Sequence, residues 1–459
     1  MIEYDFKNKE IVDIVNNLII YSVSKGASDI HFDPFEDGVK VRLRIDGVLQ
    51  DHTVVPKAYQ RNLTTRIKLI SNMNITESRL PQDGAIKGNI NGIDLDIRVS
   101  SLATNLGEKI VMRILDYTQS ANGLESLGFS EKNLEKIKRM ISVPNGIILI
   151  TGATGSGKST TVYTMLQTLN TPETNIITVE DPIEMNIEGI NQVQVNSEIG
   201  LTFGRVLRSI LRQDPNIILI GEIRDTETAQ IAVRASITGH LVFSTIHTNN
   251  SLSTIERLLD MDVERYLLSS ALEGIVSQKL ARKLCPTCKK LRATTSYEKV
   301  VFKRVLGKDV NEIYDVGDEH CEECRNGYKG RMAIQEVLLI DDKLRDAIND
   351  DTLPREELRK LVYTENVTTL LQDGLEKVLA GYTSFNEIYK LIEIDDELDS
   401  HYGADMLGNR INNADNDIEE AMIEEQEIVD NNFNQLAEQN VNDDDDLSKT
   451  EILDLGAMD

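Results

Sequence analysis

The 459-residue sequence contains no tryptophan, and aromatic residues make up only 5% of it. No stripe of lysine and arginine interleaved with aromatics is present, so the electrostatic footprint of a nucleic-acid-binding protein is missing and no nucleic-acid partner is expected. No apolar run approaches the ~18 to 20 residues that a membrane-spanning helix needs. The N-terminus, Met1-Ile2-Glu3-Tyr4-Asp5-Phe6, is acidic and lacks the basic stretch that opens a secretion signal. These absences point to a cytoplasmic chain with room for two or three domains.

Net charge is −27 and unevenly spread. Residues 395–459 carry 21 acidic side chains against Arg410 and Lys449, which leaves 55 acidic against 47 basic in everything before them. With Asp443-Asp444-Asp445-Asp446 and little to bury, this tail reads as mostly disordered. Ile418, Met422, Val429, Phe433 and Leu436 could still share one face of a partner-docking helix.

Cysteine is scarce and paired: Cys285-Pro286-Thr287-Cys288 and Cys321-Glu322-Glu323-Cys324 use all four. Two such knuckles in a reducing compartment fit a tetrahedral zinc held by four thiolates, with no position left open for substrate. The expected role is structural.

What the chain does have is Gly152-Ala153-Thr154-Gly155-Ser156-Gly157-Lys158-Ser159, directly after the apolar run Ile147-Ile148-Leu149-Ile150. A buried strand that breaks into a glycine-rich loop and re-enters as a helix over 160–169 aims backbone N–H groups and a helix N-terminus at one point. A triphosphate would sit there. Lys158 would reach its β- and γ-phosphates, Ser159 would ligate magnesium, and Thr160 continues the cradle.

Hydrolysis needs a further carboxylate. Ile217-Ile218-Leu219-Ile220-Gly221-Glu222 reads as a central strand with Glu222 at its C-terminal end, the candidate general base or water-positioning residue. Glu180, Asp181 and Glu184 follow another predicted strand and would hold metal-bound waters or cap a helix. His240 and His247 bracket a strand over 241–245 and are expected to sense the γ-phosphate together.

The remaining pattern is α/β. Residues 11–24 are spaced as a helix, 28–32 as a strand, and 40–45 and 48–55 flank the turn signal Asp46-Gly47. Residues 59–75 return to helical spacing, and 85–100 and 109–115 alternate as strands. From Gly146, strands at 147–150, 175–179, 193–195, 217–220 and 241–245 alternate with helices, as in a largely parallel sheet. Residues 341–392 are mostly helical.

Together these residues resemble the secretion and pilus-assembly ATPases of the GspE/PilB type, which power type II secretion, type IV pilus assembly and DNA-uptake pseudopili. The matching motifs run in order over residues 9–392: Ala27-Ser28-Asp29-Ile30-His31, Arg42-Leu43-Arg44-Ile45-Asp46-Gly47, the phosphate loop, Glu180-Asp181-Pro182, Arg212-Gln213-Asp214-Pro215, Gly221-Glu222-Ile223-Arg224-Asp225, the histidine segment, the four cysteines, and Gly327-Tyr328-Lys329-Gly330-Arg331. The resemblance implies a small N-terminal α/β, PAS-like domain (1–117), a linker (118–145), a RecA-like P-loop ATPase core (146–280), a tetracysteine zinc module (281–335), C-terminal helices (336–394) and the acidic tail (395–459). It also implies a homohexamer, peripherally attached to the inner face of the cell membrane through a platform protein, using ATP, Mg2+ and Zn2+. Arg98 and Arg113 fall where that family places arginines that complete a neighbour's ATP site.

Departures are few. Ala153 stands where many relatives have proline, and Arg325-Asn326-Gly327 is one residue shorter than usual, so the second knuckle is expected to be rearranged. The extra N-terminal module of longer relatives is not expected, and the acidic tail lies outside the pattern. A retraction motor of the same superfamily is the nearest rival, and such motors generally lack the four cysteines. A RecA-like nucleic-acid motor would need a basic channel, and a non-hydrolysing scaffold would not need Glu222.

Overall fold

The computed structural model describes residues 4–6, 8–90, 93–115, 123–317, 321–324 and 326–392. Helix α1 (Ile11–Ser24) buries Ile14, Val15, Leu18 and Ile19, the one-sided stripe its spacing predicts. Strands β1 (Ala27–Phe35), β2 (Gly38–Ile45) and β3 (Val48–Pro56) follow. Asp46 and Gly47, between β2 and β3, both take the left-handed backbone a two-residue hairpin requires. Helix α2 (Gln60–Ile70) stops short of the expected residue 75, because Asn72 turns left-handed and the Ser71 hydroxyl donates to the Ile67 carbonyl.

Strands β4 (Gln82–Ile90), β5 (Ile93–Thr104) and β6 (Gly107–Ile114) complete a six-stranded sheet in the order β3-β2-β1-β6-β5-β4. Its pairings are antiparallel. The two-residue alternation packs Ile30, Phe32, Val41, Leu43, Ile97, Val99, Ile110 and Met112 against the helices. Asp33, Arg42, Arg98 and Arg113 are thereby left on the opposite, polar face.

Helix α3 (Glu131–Ile141) is capped by the Ser130 hydroxyl and places Ile137 and Met140 in the core of a second sheet. That sheet begins with β7 (Gly146–Thr151), helix α4 (Lys158–Leu169), β8 (Ile176–Glu180), β9 (Asn191–Gln194), α5 (Phe203–Ile210) and β10 (Ile217–Ile220). It continues through α6 (Thr226–Ile237), β11 (Leu241–Ile246), α7 (Ser251–Asp260), α8 (Arg265–Ala271) and β12 (Leu272–Leu284). Ile147 and Leu149 enter one core while Ile148 and Ile150 enter the other. A strand covered on both faces must be apolar throughout, which is why β7 reads as an unbroken run.

Beyond β12 come β13 (Lys290–Ala293), α9 (Ser296–Leu306), β14 (Glu312–Asp315) and β15 (Tyr328–Leu339). The sheet order is β15-β12-β7-β11-β10-β8-β9, with β15 antiparallel to β12 and the other pairings parallel. Helices α10 (Asp342–Asn349), α11 (Arg355–Val362), α12 (Leu370–Leu379) and α13 (Phe385–Leu391) end the described chain. They divide between two cores. Leu344, Ile348 and Val362 join the core of the second sheet, whereas Leu371, Leu375, Phe385 and Ile388 pack with Val301 and Phe302 beside the cysteine region. No described helix is long and apolar enough to cross a membrane. The acidic stretch 395–459 and its apolar stripe lie outside the described residues.

Candidate functional site

The glycine-rich loop leaves β7 at Thr151 and enters α4 through Gly157. Gly152, Gly155 and Gly157 have φ of 146°, 78° and 89°, conformations that a side chain would strain. Lys158 is 9% exposed and folds back over the loop, its ammonium donating to the carbonyls of Gly152 at 2.8 Å and Ala153 at 3.0 Å. Burial lowers its pKa, and the nearby Glu222 carboxylate opposes that shift. The Ser156 hydroxyl oxygen is buried without a hydrogen-bond partner among the described residues, which suits a cradle that meets a ligand oxygen.

Strand order explains what faces this loop. β11 lies between β7 and β10, with Ile246 opposite Thr151 and Ser244 opposite Ile220. His247, just past β11, therefore falls between the loop and Glu222, just past β10. His247 Nε2 lies 3.6 Å from Glu222 Oε2, and Glu222 also pairs with Arg224. Burial and the Lys158 ammonium push the His247 pKa down, while Glu222 and a hydrogen bond with Gly152 push it up, for a net lowering. Two hydroxyls pin the carboxylate-bearing turn: Ser244 donates to the Ile220 carbonyl at 2.8 Å and Thr245 to that of Gly221 at 2.7 Å.

His240 does not join His247. It precedes β11, where its carbonyl accepts from Gly146 N–H and its Nδ1 lies 2.9 Å from the Ala235 carbonyl. Seven steps along the strand at about 3.3 Å each separate the two histidines by about 23 Å. The expectation of a joint γ-phosphate sensor is corrected accordingly: His240 closes the opposite end of the sheet.

The acidic segment after β8 turns partly inward. Glu180 is 3% exposed and accepts from the Thr178 hydroxyl at 2.5 Å, from Gln192 Nε2 at 3.1 Å and from the Tyr163 hydroxyl of α4. Tyr163 in turn accepts from Glu184 N–H at 3.2 Å. Asp181 remains exposed. Glu184 meets Arg98 of the first sheet at 3.2 Å, and Arg98 also donates to the Ile183 carbonyl. Burial raises the Glu184 pKa, and Arg98 and Arg113 draw it back. Arg113, opposite Arg98 on β6, pairs with Asp29 at 3.0 Å. The polar face of the first sheet thus meets the acidic segment within one chain. A second contact joins Asp46 of the β2–β3 turn to Gly330 N–H at 2.9 Å.

The four cysteine sulfurs lie within 4.8 Å of one another, with Cys285 and Cys321 4.0 Å apart and Cys288 and Cys324 3.6 Å apart. Disulfides require about 2.05 Å. Four thiolates about 2.3 Å from a central zinc would stand about 3.8 Å apart, so the donor set fits that ion. Past Cys324, Asn326 and Gly327 are both left-handed, and the Gly327 carbonyl accepts from Cys285 N–H at 2.8 Å.

A glycine-rich loop between strand and helix, with a carboxylate two strands away at the same edge of a parallel sheet, defines a P-loop ATPase. The family model described as "Type II/IV secretion system protein" matches residues 5–390, and the chain belongs to that family. It is 45% identical over 382 residues to "Type II secretion system protein E" of Dickeya dadantii, covering 83% of this chain and 75% of that one. "Type II secretion system ATPase E" of Vibrio cholerae is 43% identical over 382 residues with the same shares. Among solved structures, the ADP-bound pilus retraction motor PilT aligns with TM-score 0.59 and 26% identity, covering 84% of this chain and 98% of that one. The ATPase DotB of Legionella pneumophila aligns with TM-score 0.63, covering 85% and 98%; at 22% identity this supports the fold alone. The architecture is that of RecA-like secretion ATPases.

Proposed function

We propose that this chain is the motor of a type II secretion, type IV pilus or competence-filament assembly machine. A homohexamer would hydrolyse ATP at the inner face of the cell membrane and displace a platform protein there. The arrival of Lys158 at the start of α4 beside Glu222, past β10, and His247, past β11, carries the hydrolytic part of this reading, and the family match supports the machine. ATP phosphates would lie on the N–H groups of residues 152–159, and Lys158 would exchange its loop carbonyls for phosphate oxygens. Ser159 would ligate magnesium, which when bound neutralises charge on the phosphates. Glu222 would orient the attacking water and take its proton. His247, kept neutral at pH 7, would hydrogen-bond the γ-phosphate.

Arg98 and Arg113 would complete the charge around the transferred group. The in-chain contacts of Arg98 with Glu184 and the Ile183 carbonyl support a site between the N-terminal domain (1–117) and the ATPase core (146–280) of one subunit. Zinc held by Cys285, Cys288, Cys321 and Cys324 would tie β12 to β15. The same four cysteines favour an assembly motor over a retraction motor. Sedimentation of the full chain with ATP and magnesium tests the assembly: a species near six times 51.5 kDa is expected. A monomer at every protein and nucleotide concentration contradicts it.

A further inference from the structure

Gln278 lies on β12, 2% exposed, with its side chain against the phosphate loop. Its Nε2 donates to the Ser156 carbonyl at 2.6 Å, and its Oε1 accepts from the Thr161 hydroxyl of α4 at 2.8 Å. A carbonyl can only accept, so the amide can face Ser156 in one orientation alone. The loop is built around this residue. A Cβ on Gly152 would stand 2.3 Å from the main-chain carbonyl of Gln278, and one on Gly157 would stand 2.9 Å from its side-chain Nε2.

The Ser156 carbonyl belongs to the same planar trans peptide as the Gly157 N–H, and the two point in opposite directions. Holding the carbonyl toward β12 turns that N–H into the concavity of the loop, where a phosphate oxygen is received. Without the amide, rotation of this peptide costs little, since glycine at 157 permits both orientations. We propose that Gln278 is a positioning residue for the phosphate loop, presenting the Gly157 N–H to the phosphates of the nucleotide. The proposal rests on residues 152–159 being the phosphate cradle.

The cradle touches phosphate in both ground and transition states, so its disorder is read in affinity rather than in turnover at saturation. In the full chain, Gln278→Met keeps the shape and removes both polar groups. It is expected to raise the KM for ATP and the Kd for ADP about tenfold with kcat within about threefold, equivalent to about 1.4 kcal/mol. Thr161→Val frees the amide to rotate and is expected to raise both constants about threefold. It adds less than twofold in the Gln278→Met background, because it acts through Gln278. Both constants within twofold of the parent in Gln278→Met, or a fall in kcat with both unchanged, overturns the proposal. A lowered melting temperature with unchanged affinity does the same, since that is what a purely structural residue gives. Should Gln278→Met not fold, unchanged constants in Thr161→Val decide against it. Lys158→Ala is the separate control: unchanged ADP affinity there removes the cradle assignment itself, whatever Gln278 does.

Discussion

Replacing Glu180 with alanine separates two roles for the acidic segment. A magnesium-facing carboxylate would be open to the crevice, whereas Glu180 is buried and accepts from Thr178, Gln192 and Tyr163. Glu180→Ala strips the acceptor from the Thr178 hydroxyl, which is fully buried, and from Tyr163, which is 4% exposed. Gln192 is only half-buried and can turn to water. Two buried donors left without partners cost about 1 to 3 kcal/mol each, so about 3 kcal/mol is expected in all. For a cooperative unit of about 150 to 250 residues, the size of the second sheet with the helices packed on it, that lowers the melting temperature by about 6 to 12 °C. Thermal unfolding monitored with and without magnesium and ATP reads the shift, and a magnesium titration of turnover, corrected for the folded fraction, reads the second role. A melting temperature within about 2 °C of the parent, combined with a tenfold greater magnesium requirement, would refute this account of Glu180.

His247 is held below its ordinary value by burial and Lys158, so it is neutral at pH 7. The folded protein then binds fewer protons at this site than the unfolded chain between the lowered pKa and about 6.5, and stability falls as pH drops through that window. Turnover should fall over the same acid range as the imidazolium pairs with Glu222. His247→Gln should flatten that acid limb, and superimposable pH profiles for parent and variant would contradict the assignment. Cys285→Ser with Cys288→Ser should eliminate bound zinc and unfold the packing of Phe302 on Phe385, read as early loss of structure on heating. Native protein with no zinc by elemental analysis would remove the metal.

The phosphate loop was legible because its glycines and lysine follow an unmistakable buried run, and Glu222 because it ends another. His247 was legible for the same reason, at the end of β11. His240 misled because a seven-residue spacing that looks close in sequence spans the whole strand. Gln278 carries no motif: it meets Ser156 across 122 positions, through the pairing of β12 with β7. Glu180 was placed at the right edge, but its inward turn depends on Tyr163, a helix residue whose direction the apolar pattern does not encode. The division of the C-terminal helices between two cores was equally hidden, since an apolar stripe on a helix does not say which core it meets.

The most direct test of the account is the fate of ATP on a Glu222→Gln chain. Glu222 is placed as the group that takes a proton from the attacking water, which predicts turnover reduced about 10²- to 10⁴-fold with binding retained. Protein mixed with ATP and magnesium, freed of excess nucleotide and quenched in acid, should yield ADP from the parent and intact ATP from the variant. Recovery of ADP at a rate within twofold of the parent, or of no nucleotide at all, would contradict the central claim.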